Sequence, residues 1–233
     1  VTGHDPSLRE ERSVMQQRAF LVAAGLLAAG CAGYRGGWES VAYIGTPPNA
    51  SSLDSMSRVV PRQPPELRVP GLALRVAINN QLRTYDTKVY LFILPLSYDP
   101  RRVYANDPAP GRTRVFVTVT PATTGFVFRP SAAVLQVAGQ RLAGAAGFEF
   151  GQWDDAWRRA GSGARWGYRP IVSEDSLLDV GRRYYLSIDF EVPVPSPRSP
   201  DIVLDLSGAL RSASEPPVPL IRFLPGRWRA GYT

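Results

Sequence analysis

The sequence is poor in the side chains that many enzymes use for catalysis. It contains one cysteine, Cys31, one histidine, His4, and one lysine, Lys88. After Cys31 there is no histidine and no second cysteine, which excludes histidine-based triads, cysteine nucleophiles and thiolate or imidazole zinc sites from that part of the chain. No phosphate loop or dinucleotide-binding fingerprint occurs. We therefore predict a non-catalytic protein without metal or cofactor, and a hydrolase built on paired carboxylates is the enzymatic alternative that remains.

The sequence also lacks an apolar run of the length that a permanent membrane span needs. Residues 19–34 carry no charge, but a helix needs about 20 apolar residues to cross the hydrocarbon core. The run follows Arg18, and the small residues 28–30 stand directly before Cys31. A charged start, an apolar stretch and small residues at a cleavage point are the three parts of an export signal. Residues 15–30 are therefore predicted to be a signal peptide.

The end of this signal resembles the lipobox of bacterial lipoproteins. The segment reads Leu27-Ala28-Ala29-Gly30-Cys31, with its leucine one place earlier than is usual. The resemblance covers only Met15 to about Ala32. It implies cleavage by signal peptidase II and attachment of a diacylglycerol to Cys31, which anchors the protein in the membrane because two acyl chains suffice for stable binding. Ala32, rather than an aspartate, implies sorting to the outer membrane of a diderm host, facing the periplasm.

This interpretation divides the chain into four parts. Residues 1–14 fit no part of an export signal, so we interpret them as a misassigned upstream start, with Met15 as the true one. The signal peptide at 15–30 is followed by residues 31–65, which are rich in glycine, proline and serine and are predicted to be a flexible tether. Residues 66–233 are predicted to form the folded domain.

Apolar residues in the folded domain recur at every second position, the period of a half-buried strand. The pattern occurs at 72–78, 115–119 and 184–190, and the continuous apolar run at 88–94 is typical of a central strand buried on both faces. Many short strands separated by proline and glycine predict an all-β, antiparallel β-sandwich. It is immunoglobulin-like only by architectural analogy, because the paired cysteines around a tryptophan are absent. The last strand is predicted to be short, at 220–223.

An aromatic-rich insertion at 151–176 interrupts the strand pattern. The tryptophans at 153 and 157 are four residues apart, the spacing of one face of a short helix whose first turn the two aspartates would favour. Flat aromatic faces stack on sugars or peptides while polar groups donate and accept hydrogen bonds. The alternative is that the tryptophans fill an open end of the sandwich as core residues. The candidate binding residues are Trp153, Asp154, Asp155, Trp157, Trp166 and Tyr168.

The formal net charge is +7, and nearly all of the positive charge is arginine. Arginine use of this kind follows from a GC-rich coding sequence; its functional interpretation is attraction to anionic envelope surfaces. Nucleic acid is not an expected partner of an exported protein. We predict a lipid-anchored, non-catalytic binding or scaffolding module for an envelope protein. A module that binds glycan or peptidoglycan through the aromatic insertion is the alternative, ahead of the hydrolase.

Overall fold

The computed structural model describes residues 32–49, 55–57, 63–89, 95–104, 111–153 and 165–232. These residues form an all-β protein of antiparallel sheets with a curled half-barrel. Their one helical element is a 3-10 turn at Pro130–Ala132. The strands in chain order are β1 (Ala32–Tyr43), β2 (Ser55–Ser57), β3 (Glu66–Val69), β4 (Leu72–Ile78), β5 (Leu82–Val89), β6 (Pro95–Asp99), β7 (Val103–Tyr104), β8 (Thr113–Pro121), β9 (Val127–Phe128), β10 (Val134–Val137), β11 (Gln140–Ala143), β12 (Ala146–Trp153), β13 (Arg165–Pro170), β14 (Ser176–Leu177), β15 (Tyr184–Phe190), β16 (Val203–Asp205), β17 (Leu210–Arg211) and β18 (Ile221–Tyr232).

The strands are arranged in three sheets. Sheet A has the strand order β11-β10-β16-β18-β1-β5-β6, with β7 paired to β5 and the short β2 paired to β18 in parallel. Sheet B has the order β13-β12-β15-β8-β4-β3, and sheet C has the order β14-β9-β17. Except for β2 with β18, every pairing among the described strands is antiparallel.

The three sheets share one hydrophobic core. The predicted alternation is confirmed in β4, where buried and half-buried residues follow each other from Leu72 to Ile78. The buried residues of β8 and β15 continue this inner face of sheet B. Leu204 and Ile221 of sheet A and Phe128 of sheet C belong to the same cluster of buried side chains. The apolar faces of all three sheets are thus removed from water together, which is the main driving force for folding.

The first strand corrects the prediction of a flexible tether at 31–65. β1 pairs with β18 on one side and with β5 on the other, so it lies inside sheet A. Its pairs with β18 run from Gly33 to Tyr43 without a break. The glycine content of this stretch suggested a flexible chain, but Gly36 and Gly37 lie where neighbouring groups leave no room for a Cβ atom. The residues 32–43 are therefore part of the folded domain.

Two strand predictions were also wrong. The run at 88–94 was predicted to be one buried strand, but β5 ends at Val89, which is paired with Pro95 at the start of β6. The run is therefore not one continuous strand, because β5 and β6 are antiparallel neighbours; residues 90–94 lie outside the described part of the structure. The last strand is not confined to 220–223: β18 continues to Tyr232, past the proline at 225, because β1 supplies a partner along nearly its whole length.

Candidate binding surface

A hairpin of sheet B presents a cluster of aromatic rings on one face. In the pairing of β12 with β13, Phe150 lies opposite Tyr168 and Gln152 lies opposite Trp166. Directly paired residues project from the same face of a sheet, as do alternate residues of one strand. The Phe150 ring stacks on the Trp166 ring, with the two ring centroids 5.6 Å apart. The centroid of the Phe150 ring lies 4.9 Å from that of the Tyr168 ring. We name this surface the aromatic face; it consists of Phe148, Phe150, Trp166, Tyr168 and Tyr185.

The outer rings of the aromatic face are open to solvent. Trp166 is 64% exposed, and Tyr168 and Tyr185 are each 44% exposed, whereas Phe148 and Phe150 are half-buried beneath them. Scattered exposed apolar side chains are ordinary, but contiguous ones mark interaction sites. The arrangement therefore suits a ligand that covers Trp166 and Tyr168 together.

A buried ion pair supports this face from β8 and β15. Arg114 and Asp189 are directly paired across the two strands. The Arg114 guanidinium donates from Nε to Asp189 Oδ1 at 2.5 Å and from Nη2 to Oδ2 at 2.7 Å. It also lies 4.7 Å from the Phe148 ring centroid and 5.1 Å from that of Tyr168. The two-bond geometry fixes the guanidinium plane, so the cation packs beneath two rings in a defined position.

Arg114 and Tyr168 each have one protonation state at neutral pH. The hydrogen bonds that Arg114 donates to Asp189 raise the pKa of Arg114 above its already high ordinary value. Burial raises the pKa of the Tyr168 phenol, and the Arg114 cation opposes that rise. At neutral pH Arg114 is therefore charged, and Tyr168 presents a neutral hydroxyl that can donate or accept a hydrogen bond.

The structure divides the predicted binding residues between two faces of the hairpin. Trp166 and Tyr168 lie on the aromatic face, but Trp153 projects from the opposite face because it is an odd number of residues from Phe150. Its Nε1 donates to the carbonyl of Gly167 at 3.0 Å, and the Arg169 guanidinium lies 5.0 Å from its ring. Trp153 therefore does not share a face with Trp166 and Tyr168.

The predicted short helix is not seen either. Trp153 is the last residue of β12, so it lies in a strand and not on a helix. The i, i+4 spacing of the two tryptophans was misleading because β12, with its alternating side-chain directions, continues as far as Trp153. Asp154, Asp155 and Trp157 lie outside the described residues, as does Cys31.

Sequence reasoning missed the two phenylalanines of the aromatic face and the ion pair beneath it. The alternation of Phe148 and Phe150 with Glu149 is the sequence signal that these two rings share one face of a strand. The alternation at 184–190 places Asp189 on the face opposite Leu186 and Ile188, and the structure buries Asp189 on that face. Its partner Arg114 comes from a strand 75 positions away in sequence, and only the pairing of β8 with β15 brings the two charges together.

A second polar site is an open groove along β5 and β6. Asp86 and Asp99 are directly paired across these strands. Arg83 donates to Asp86 at 2.8 Å and lies 3.7 Å from Asp99, which is also bound by Arg101 at 3.0 Å. Hydrogen bonds from Arg101 lower the pKa of Asp99 below its ordinary value. A general acid of a glycoside hydrolase needs the opposite shift.

The described residues contain no cluster of three or more histidine, cysteine, aspartate or glutamate side chains that could hold a metal ion. Asp175, which stands among several loop carboxylates, is instead bound by Arg129 at 2.8 Å and Arg211 at 2.9 Å. The ion pairs link the loop that carries Asp175 to β17 of sheet C.

Comparisons with known proteins found no match among family models, curated proteins or solved structures. Within the described ranges, no helix is both long enough and apolar enough to cross a bilayer.

Proposed function

We propose that this chain is a bacterial lipoprotein, anchored by acylation of Cys31, whose folded domain binds an envelope protein through the aromatic face without catalysing a reaction. The anchor is inferred from the lipobox at 27–31. Sorting to the outer membrane, facing the periplasm, follows from the same resemblance. The proposed site of binding is centred on Trp166 and Tyr168.

The observation that supports this proposal is the exposure of Trp166 on a paired hairpin. Tryptophan, tyrosine and arginine are the side chains most enriched at the energetic centres of protein interfaces. Here Phe150 fixes the Trp166 ring from one side, and the Arg114 cation fixes Tyr168 from beneath. A partner would therefore meet rings that are already ordered, which reduces the entropy lost on binding.

The ring orientations favour a protein partner over a glycan. The Trp166 ring is inclined by 27° to Phe150 and the Tyr168 ring by 51°. The two exposed rings are therefore not coplanar, and they do not form one flat platform for successive sugars of a polysaccharide. The side chains of a protein partner can pack against two rings that are inclined to each other.

The experiment is capture of partners from an envelope extract by the full acylated chain in detergent. We expect Trp166→Ala with Tyr168→Ala to abolish capture of a specific protein. The matched control is Trp153→Ala, which removes a tryptophan from the other face of the same hairpin and should leave capture unchanged. Thermal unfolding confirms that each variant is folded. Equal capture by the double variant and the native chain would refute the proposed site.

The anchor is tested separately. Cys31→Ser removes the only thiol of the chain, so we expect loss of the acyl mass and release of the protein from the membrane fraction. A Cys31→Ser variant that still carried the acyl mass would show that Cys31 is not the modified residue.

Glycan binding is the second candidate, and the 64% exposure of Trp166 favours it because one open ring face suffices to stack on one sugar. Binding of the native chain to isolated peptidoglycan, lost in Trp166→Ala, would replace the protein partner with a glycan. A hydrolase using Asp86 and Asp99 has less support, since Arg83 lies between two carboxylates that it binds or approaches.

We also propose that sheets A and B pack as the two layers of a β-sandwich. The proposal is supported by the single core to which both sheets contribute, including Ile188 from sheet B and Ile221 from sheet A. The immunoglobulin-like comparison remains one of architecture alone.

A further inference from the structure

The folded domain begins immediately after the proposed lipid anchor. Ala32, the first residue of β1, is already paired with Val89 of β5, and Gly33 is paired with both Lys88 and Tyr232. One end of sheet A therefore lies beside the residue that carries the acyl chains. We name this the anchor end; it consists of Tyr34, Lys88, Tyr98 and Arg229.

Chain geometry limits how far the anchor end can lie from the bilayer. Consecutive Cα atoms are 3.8 Å apart, so the Cα atom of Tyr34 lies at most about 11 Å from that of Cys31. The polar headgroup region of one leaflet is itself roughly 5–7 Å thick. A tether of many residues would have allowed any orientation of the domain, but three residues do not.

The side chains at the anchor end are of the kind that prefers a membrane interface. Tyr34, Thr87 and Tyr98 form one cross-strand row on one face of sheet A. Tyr34 is 49% exposed and Tyr98 is 63% exposed, whereas the Thr87 hydroxyl is bound to the Tyr34 carbonyl at 2.9 Å. Amphipathic rings such as tyrosine are enriched at the headgroup level of membranes.

Two exposed cations lie at the same end of sheet A. Lys88, the only lysine of the chain, lies in the row next to Tyr34 and projects from the opposite face of the sheet. It makes no ion pair with any other described residue. Arg229 is exposed and donates to the Tyr85 hydroxyl at 3.1 Å. The five residues between Val89 and Pro95 lie outside the described ranges, and none of them is charged.

The two carboxylates of the adjacent cross-strand row are already bound by arginine. Asp86 and Asp99 form the row that follows Tyr34, and Arg83 and Arg101 bind them. Their negative charge is therefore compensated within the sheet. The anchor end is left with a positive charge that complements anionic headgroups.

We propose that the anchor end rests on the bilayer, with Tyr34 and Tyr98 at the headgroup level and Lys88 and Arg229 on anionic headgroups. The occupant of this surface is the lipid surface itself. The inference rests on the proposed acylation of Cys31 and adds to it a fixed orientation of the domain. Each basic residue near an anionic membrane shifts the balance toward the docked state by about fivefold.

The test relies on acylation consuming the thiol of Cys31, so that an introduced cysteine is the only free thiol of the chain. In the acylated full-length chain, Tyr98→Cys and, as a matched control, the 95% exposed Val172→Cys each place one free cysteine for a fluorescent label. The labelled proteins are reconstituted in vesicles of equal parts phosphatidylcholine and phosphatidylglycerol that contain a lipid-borne quencher. We expect several-fold stronger quenching at position 98 than at position 172. We also expect Lys88→Ser to lower the docked-to-free ratio at position 98 by about fivefold, whereas Arg141→Ser on β11 leaves it unchanged.

The outcomes separate this inference from the proposed function. Equal quenching at positions 98 and 172 in a protein that carries the acyl mass would overturn the docked orientation and leave the anchor intact. Absence of the acyl mass would refute the anchor itself, and with it the docking. Quenching at position 98 that is insensitive to Lys88→Ser would overturn the part assigned to anionic headgroups.

Discussion

Removing one member of the Arg114–Asp189 pair should destabilise the protein far more than removing both. The side chains are only 9% and 4% exposed. Asp189→Ala would leave the guanidinium buried between the Phe148 and Tyr168 rings without its carboxylate. Breaking a buried pair in this way costs about 3–5 kcal/mol. That is a large part of the roughly 5–15 kcal/mol by which a domain of this kind is stable.

The double variant Arg114→Leu with Asp189→Leu removes both charges and fills the space with apolar groups. Replacement of a buried ion pair in this way is often neutral or stabilising by about 1–4 kcal/mol. Urea unfolding of the native chain, the two single variants and the double variant gives the free energies of this cycle. A cost below about 1 kcal/mol for Asp189→Ala, or a double variant whose cost equals the sum of the singles, would refute the ion pair as the support of the aromatic face.

Two further changes test the sheets. Gly37→Ala would place a methyl group on the Leu82 carbonyl, so we expect the free energy of urea unfolding to fall by about 1–3 kcal/mol or more. Gly167→Ala is the matched control, because no atom lies near its added methyl group. Equal urea midpoints for the two variants would contradict the close approach of β1 to β5. Hydrogen bonds from Arg129 lower the pKa of Asp175 in the folded protein. The ionised Asp175 carboxylate therefore stabilises the fold at pH values above its unfolded pKa of about 3.9, and this stabilisation is lost as the pH falls through its folded pKa. Asp175→Asn should therefore lower the urea midpoint at neutral pH and have no effect near about pH 2; a difference that persists there would contradict this ion pair.

The sequence predicted the inner face of sheet B well because alternation is a local signal. Leu74 and Val117 are buried where period two places them. The role of β1 was not predictable in the same way, since its glycines are required by close contacts with β5 and β18 that no local pattern reveals. For the same reason the helix prediction misplaced Trp153, which lies in β12: spacing along one segment does not indicate which strand will pair with it.

The candidate site was predicted in part. Trp166 and Tyr168 were candidate binding residues because their segment is rich in aromatic residues, and in the structure they share an exposed face. Phe150, which orders both rings, and the buried pair beneath them depend on the register of four strands. Register is set by the whole sheet, so the site could be assembled only from the structure.

The most direct test of the account is photocrosslinking in intact cells. A photoreactive amino acid is placed at position 166 on the aromatic face or, as the control, at position 153 on the opposite face of the same hairpin. The account predicts a discrete covalent adduct with one envelope protein from position 166 and none from position 153. No adduct from position 166, or the same adduct from both positions, would contradict the assignment of binding to the aromatic face.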